Sequence, residues 1–210
     1  MIKQNLKLLI ITSIMILLPV IAGALLWDKL PSEIPSHWNM KGEVDGYSTK
    51  AFAVFGMPMI FLSIHWLTAL VTSADPKNKN HSAKVISLIF WIIPAVSVLI
   101  AALTYSAALG NNAPVEVITN ILVGLVLVIV GNYLPKCRQS YTVGIKLPWT
   151  LNNEENWAKT HRLAGKVWVA CGLAVIAAGF LKFFPVMIAA ALLAVAVPTV
   201  YSYILHRRGL

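Results

Sequence analysis

The chain has 210 residues, of which 58% are hydrophobic and only 12% are charged, and its formal net charge is +9. Soluble domains carry about 25% charged residues, so this composition excludes an ordinary soluble globular protein and indicates an integral membrane protein. Lysine and arginine gather on the cytoplasmic side of membrane proteins. The positive charge therefore needs no nucleic-acid partner, and we expect no direct binding of nucleic acid.

Six apolar segments follow one another along the chain. Each has about the 20 mostly apolar residues that cross a bilayer, and backbone polar groups in lipid must be satisfied within the segment, so we predict an all-α protein with six transmembrane helices. The first segment also has features of a secretory signal peptide, but its apolar run continues to Trp27, which favours a retained span. The segments are 6–26, 52–73, 85–109, 115–134, 164–181 and 184–205.

The distribution of basic residues predicts the orientation of these spans. With a cytoplasmic N-terminus, thirteen of the seventeen basic residues lie inside. Six spans then place both termini in the cytoplasm, loop 28–50 outside and loop 135–163 inside. We divide the chain into an N-terminal region, 1–73, with two spans, and a C-terminal region, 74–210, with four. The basic residues left outside are Lys29, Lys41, Lys50 and Lys182.

The outer polar loop, residues 28–50, contains prolines, glycines and aromatic residues. Pro31 and Pro35 exclude a continuous helix, while the glycines suit turns. Trp38 and Tyr47 are of the type that lies at the lipid headgroups. We therefore predict a solvated loop that is shaped by turns and folds back on the membrane surface.

The alternative to a solvated loop is a metal site formed by residues of this loop. His37, Glu43 and Asp45 carry suitable ligand atoms. Their spacing, however, does not contain a ligand pair typical of zinc. We expect no metal site here.

The longest polar interruption, residues 131–168, contains six of the seventeen basic residues. Its first part, 141–151, combines β-branched and aromatic residues with a glycine and a proline, which predicts an extended loop rather than a helix. Gly144 and Lys146 do not form a phosphate-binding loop, because the second Gly-Lys-Ser/Thr element is missing.

A helix is predicted to begin at Asn152 and to run directly into the fifth span. Asn152 is a suitable N-cap, and Glu155 three residues later completes a capping box. Glu155 and Lys159 also form an i,i+4 pair in the favourable order.

The helical period divides this helix into two faces. Basic residues at the inner boundary are needed for insertion in any case, but the basic face also suits anionic lipid or an acidic patch of a partner protein. The aromatic face carries Trp157, His161, Ala164 and Trp168, and the basic face carries Lys159, Arg162 and Lys166.

Polar groups within the spans are few. His65 in the second span is a functional candidate, because ionisable residues at membrane depth are often functional; the alternative is a neutral histidine with one helix–helix hydrogen bond. The scarcity of acids in the spans argues against an energised transporter. No nucleophile, metalloprotease or hydrolase motif is present in the sequence, so we expect no enzyme, no catalytic residue and no cofactor.

Both polar loops resemble motifs of one bacterial membrane family, the SdpI family of immunity proteins against the sporulation-delay toxin of bacilli. The motif in the outer loop comprises residues 35–39, Gly42, 45–47 and Lys50. The motif in the inner loop and fifth span comprises residues 133–136, 141–146, 148–151, Glu155, Trp157, 160–161, 165–166 and Trp168.

This resemblance implies protection from a secreted peptide toxin, and sequestration of a cytoplasmic transcriptional repressor at the membrane. The alternatives are a small exporter or channel for a peptide or lipid, and a non-catalytic module that binds only lipid. The candidate toxin-facing residues are His37, Trp38, Asn39, Gly42, Asp45, Gly46 and Tyr47. The candidate partner-binding residues are Tyr141, Gly144, Lys146, Pro148, Trp149, Glu155, Trp157, Lys159, His161, Arg162 and Lys166.

Overall fold

A computed structural model describes residues 2–39, 42–77, 82–111, 113–181, 183 and 185–210. Three lysines that enter the predicted charge distribution, Lys41, Lys79 and Lys182, lie outside the described residues. The orientation of the termini stays a prediction, because the structure contains no membrane.

Six helices are long and apolar enough to cross a membrane, as the sequence predicts. The fifth of them begins well before residue 164, because the amphipathic segment continues unbroken into the apolar one. A π-helical turn, Phe52–Gly56, leads into the second. The helices are α1 (Leu6–Leu25), α2 (Met57–Ala74), α3 (Ala83–Ala108), α4 (Val115–Tyr133), α6 (Glu154–Phe180) and α7 (Pro185–Arg207), and a short helix, α5 (Pro148–Asn152), precedes α6.

The first of two compact units consists of Met1–Ser73 and Ile86–Val115. In this unit most of α3 packs with α1 and α2. One apolar cluster contains Val54 and Tyr105, and the Tyr105 hydroxyl donates a hydrogen bond to the Pro19 carbonyl of α1 at 3.1 Å. Apolar packing therefore joins helices that are far apart in sequence.

The outer loop forms an antiparallel β-hairpin of β1 (Glu33–Trp38) and β2 (Val44–Thr49), which corrects the prediction of a loop shaped only by turns. The backbone can pair here because the segment is short and its glycine-containing turn brings the strands together. Pro35 lies within β1 opposite Tyr47. A proline fits this two-stranded sheet because each strand has an edge on which no N–H is needed.

The second compact unit consists of Ala74–Val85 and Glu116–Leu210. Glycines bring α4 and α6 into close contact: a Cβ atom on Gly172 would lie 2.5 Å from the Gly124 carbonyl oxygen, and one on Gly165 would lie 2.7 Å from that of Gly131. Small residues at such crossings let helix backbones approach closely in a membrane, where van der Waals contact drives association.

The start of α6 differs from the prediction by one residue. Asn152 is the last residue of α5, and Asn153 is the N-cap of α6, since its side chain accepts a hydrogen bond from the Asn156 N–H at 2.9 Å.

The stretch 141–151, which was predicted to be an extended loop, is only partly extended, because its last residues belong to α5. Pro148 at the first position begins α5, where its fixed φ angle and missing N–H suit a helix.

Candidate functional site

The hairpin brings two of the candidate toxin-facing side chains together. His37 Nδ1 lies 2.5 Å from Asp45 Oδ1. Glu43 does not join them, because its carboxylate accepts a hydrogen bond from the Asn39 side-chain amide at 2.8 Å. Within the described residues, no group of three or more His, Cys, Asp or Glu side chains could hold a metal ion.

The other candidates in the hairpin divide into exposed and structural residues. Tyr47 is 61% exposed, whereas Gly42 has a φ of 77° that suits glycine at the turn. Gly46 lies against His37, since an added Cβ would be 2.9 Å from the His37 Cβ. Lys50 anchors the hairpin, because its ammonium group donates to the carbonyls of Trp27 and Leu30 at 3.0 Å each.

In the second unit, His161 holds the inner loop against α6. Its ring is 1% exposed and stacks on Trp157 with 4.0 Å between the ring centroids. Nδ1 contacts the Trp157 carbonyl oxygen at 2.8 Å, so it carries the proton, and Nε2 accepts a hydrogen bond from the Ile145 N–H at 2.9 Å. The Trp157 indole in turn donates to the Cys137 carbonyl at 2.8 Å.

Gly144 is required by this arrangement. Its φ of 114° lies in the region that favours glycine. An added Cβ would lie 2.5 Å from His161 Nε2 and 2.8 Å from the Trp157 ring. The aromatic face of α6 and the segment around Gly144 therefore form one interlocked structure.

Asp75, at the end of α2, holds the same loop from the other side, and sequence reasoning missed it. One carboxylate oxygen accepts hydrogen bonds from the Ser140 hydroxyl at 2.6 Å, the Tyr141 N–H at 2.9 Å, and the Thr142 hydroxyl at 2.9 Å and N–H at 3.1 Å. The other accepts from the Lys77 N–H at 2.8 Å. The sequence feature that could have identified Asp75 is its position: it is an acidic residue directly after an apolar span, on a side of the membrane that has few acidic residues.

These hydrogen bonds change the acidity of Asp75. The side chain is 3% exposed. Burial alone raises the pKa of a carboxyl group, but the donors of Ser140, Lys77, Thr142 and Tyr141 outweigh it and lower the pKa of Asp75 to about 2. Asp75 is therefore ionised at physiological pH, and its charge organises the loop.

Gln139 extends this network to α5. Its amide donates to the carbonyls of Thr150 at 2.9 Å and Leu151 at 2.8 Å. Its carbonyl oxygen accepts from the Lys77 ammonium group at 2.5 Å. The Lys77 ammonium group also lies 5.3 Å from the centroid of the Tyr141 ring, so one lysine contacts two loop residues.

α5 and the start of α6 bind the end of α7. Trp149 donates its indole N–H to the Ser202 hydroxyl at 2.6 Å and stacks on His206. The Asn156 amide donates to the carbonyls of Ser202 at 3.0 Å and Leu210 at 3.2 Å. Trp149 is thus a packing residue as well as a candidate binding residue.

The structure separates the candidate partner-binding residues into two groups. Glu155 and Lys159 form the predicted ion pair at 2.8 Å on the solvent side of α6, and Tyr141 is 50% exposed. The buried group, which holds the loop, is Trp157 and His161, and the half-buried Gly144 packs against both of them. The exposed group is Tyr141, Lys146, Pro148, Glu155, Arg162 and Lys166, with Lys159 half-buried.

His65 makes a hydrogen bond to another helix, as expected if it is a neutral structural histidine rather than a functional residue. It is buried in α2, and its Nε2 lies 2.9 Å from the Thr12 hydroxyl of α1. The Thr12 hydroxyl donates to the Leu8 carbonyl at 2.8 Å, so it accepts from Nε2–H. This geometry describes a neutral histidine that joins two helices.

Comparison with known proteins gives matches at both ends of the chain. Residues 136–202 match the SdpI/YfhL protein family, and residues 14–62 match a domain of unknown function, DUF1648. The chain is 28% identical over 205 residues to the Immunity protein SdpI of Bacillus subtilis (strain 168), covering 95% of this chain and 96% of that protein. No solved structure matches the chain. The chain is a multi-pass protein of the bacterial cell membrane, and it is similar to the SdpI family over residues 136–202.

Proposed function

We propose that this protein is a membrane immunity protein that protects the cell from a secreted peptide toxin, and that it does so without catalysing a reaction. The observation that carries the proposal is the similarity to the Immunity protein SdpI over 95% of the chain. This match extends through the hairpin and through the loop held by Asp75 and His161, so it includes both polar regions.

The proposed orientation places the hairpin outside the cell and both termini in the cytoplasm. It rests on the excess of lysine and arginine in the loops assigned to the inner side. Reporter fusions test it: alkaline phosphatase, which is active only outside, fused after Leu210 should be inactive, and a fluorescent protein at the same position should fluoresce. The opposite pair of results would reverse the orientation.

Protection is tested by expression in a strain that is sensitive to the sporulation-delay toxin. Cells with this protein should survive toxin concentrations that kill cells with the empty vector. The B. subtilis relative is the positive control, and detection of the protein in the membrane fraction confirms expression. Survival equal to the empty vector, with the protein correctly inserted, would refute the proposal.

We further propose that the exposed basic residues of α6 bind a cytoplasmic repressor and, in its absence, anionic lipid. Arg162 and Lys166 are exposed on this helix, and Lys159 lies beside them. Basic residues near the membrane surface attract anionic lipid by about 1 kcal/mol each, and an acidic patch on a protein offers the same attraction.

Charge reversal separates this receptor role from protection. Lys159→Glu, Arg162→Glu and Lys166→Glu together should abolish toxin-dependent recovery of the repressor with the membrane fraction, while resistance to toxin remains. Arg207→Glu with Arg208→Glu is the control, because it alters basic residues at the end of α7 instead. Undiminished recruitment by the correctly inserted triple variant would exclude this face as the docking site.

A further inference from the structure

A small, partly open cavity lies in the first unit, between the hairpin, the N-terminal part of α2 and the C-terminal half of α3. Met57, Phe61 and Ile100 supply apolar walls, while Ser48 and Ser97 contribute hydroxyl groups. Its volume is about 20 Å³, which accommodates one group the size of a water molecule. The other hydroxyl-bearing residues in the lining are Ser36 and Thr104, so the site is mostly apolar, with hydroxyl groups from the hairpin and from α3.

Both serine hydroxyls are buried and have no hydrogen-bond partner in the part of the chain that the structure describes. Ser97 is only 2% exposed. A serine in an apolar helix usually donates to a carbonyl one turn earlier, as Ser63 does to Met59 at 2.8 Å. Ser97 has no such hydrogen bond among the described residues, and it is one of the residues that line the cavity.

The lining restricts the class of ligand. All the residues that line the cavity are uncharged, so a charged group would lose its hydration without compensation. Of the hydroxyl groups in the lining, those of Ser48 and Ser97 are without a partner among the described residues, and two such donors match one carbonyl oxygen, which has two lone pairs.

We propose that this cavity binds a backbone carbonyl group of the peptide toxin, with the Ser48 and Ser97 hydroxyls as its two donors. The inference rests on the proposed function and names the residues that hold the toxin. A peptide that enters a membrane must find partners for its backbone polar groups. The cavity offers such partners beside the hairpin, on the side that the proposed orientation exposes to the toxin.

The test measures binding of fluorescently labelled, synthetic sporulation-delay toxin to the full-length protein in phosphatidylethanolamine–phosphatidylglycerol vesicles. Ser48→Ala and Ser97→Ala should each raise the Kd, and the double variant should raise it about tenfold. Their Tm in detergent should not fall, because each change removes an unsatisfied buried hydroxyl. Ser63→Ala is the matched control and should leave the Kd unchanged, because its hydroxyl is bonded within α2.

The outcomes distinguish this inference from the proposed function. If the unmodified protein binds toxin and protects cells, but the double variant binds equally well, the inference is overturned and the immunity function stands. If the unmodified protein neither binds nor protects, both fall. Should Ser97→Ala fail to insert, Ser48→Ala on the hairpin decides alone, and an unchanged Kd for it overturns the inference.

Discussion

Ile145 donates its backbone N–H to Nε2 of His161 at 2.9 Å, across an interval of 16 residues. Because Nδ1 of the same ring contacts the Trp157 carbonyl oxygen, both ring nitrogens are engaged and the imidazole is neutral. A histidine in this state holds a loop in place, and it has no free nitrogen for proton transfer or for a metal. The presence of His161 in the motif of the inner loop and fifth span therefore has a structural reason, which is that it holds the loop against α6.

Replacing His161 with alanine should therefore release the loop. The Ile145 N–H would lose its partner, and an unsatisfied buried donor costs about 1–3 kcal/mol, in addition to the cavity left by the ring. We expect a lower Tm in detergent and faster proteolysis between residues 137 and 147. Lys159→Ala is the control on the solvent side of the same helix. Equal protease resistance of the two variants would contradict the anchoring role.

Gly144→Ala tests the close approach of the loop to α6. The substitution combines an unfavourable φ of 114° with a Cβ that would lie 2.5 Å from His161 Nε2. Gly209→Ala is a matched control, because Gly209 has a φ of 91° but open space around it. We expect Gly144→Ala to lower the Tm clearly more than Gly209→Ala does. A similar loss in both would attribute the effect to backbone conformation alone.

Asp75 gives a prediction about pH. Its pKa is about 2 in the folded protein, below the ordinary 3.8. Its ionised form thus stabilises the fold by about 2 kcal/mol above pH 4, and this contribution is lost as the pH falls through the folded pKa. By pH 3 about half of it should be gone.

Thermal unfolding in detergent between pH 7 and pH 3 checks this dependence. Asp75→Asn should lower the Tm at pH 7, and the difference from the unmodified protein should shrink towards pH 3, because asparagine does not titrate. Other carboxyl groups affect both proteins equally and cancel in the comparison. A difference that stays constant with pH would show that the charge of Asp75 is not what holds the loop.

The Trp149–Ser202 hydrogen bond should couple α5 to α7. Trp149→Phe and Ser202→Ala each remove one partner of this 2.6 Å contact. In a double-mutant cycle measured by thermal unfolding, we expect a coupling energy of about 0.5–1.5 kcal/mol. Strictly additive effects would mean that the indole is held by its stacking on His206 instead.

The sequence alone determined the six membrane-spanning helices and the two faces of α6. Both depend on local properties: a span needs an apolar run of sufficient length, and a helical face follows from the 3.6-residue period. For this reason the helical period places Trp157 and His161 on the side opposite Arg162. The i,i+4 spacing likewise predicts the Glu155–Lys159 ion pair, which the structure contains.

The tertiary structure decided what these faces contact. Asp75 reaches Thr142, 67 residues away, and Ser48 and Ser97 line one cavity. Neither relation can be predicted from a periodic pattern in the sequence. The hairpin also depends on tertiary structure, because it forms only when β1 and β2 pair. The N-cap is Asn153 rather than Asn152 because α5 continues through Asn152, so α6 begins one residue later. Such contacts depend on how distant segments fold together, and local patterns do not contain that information.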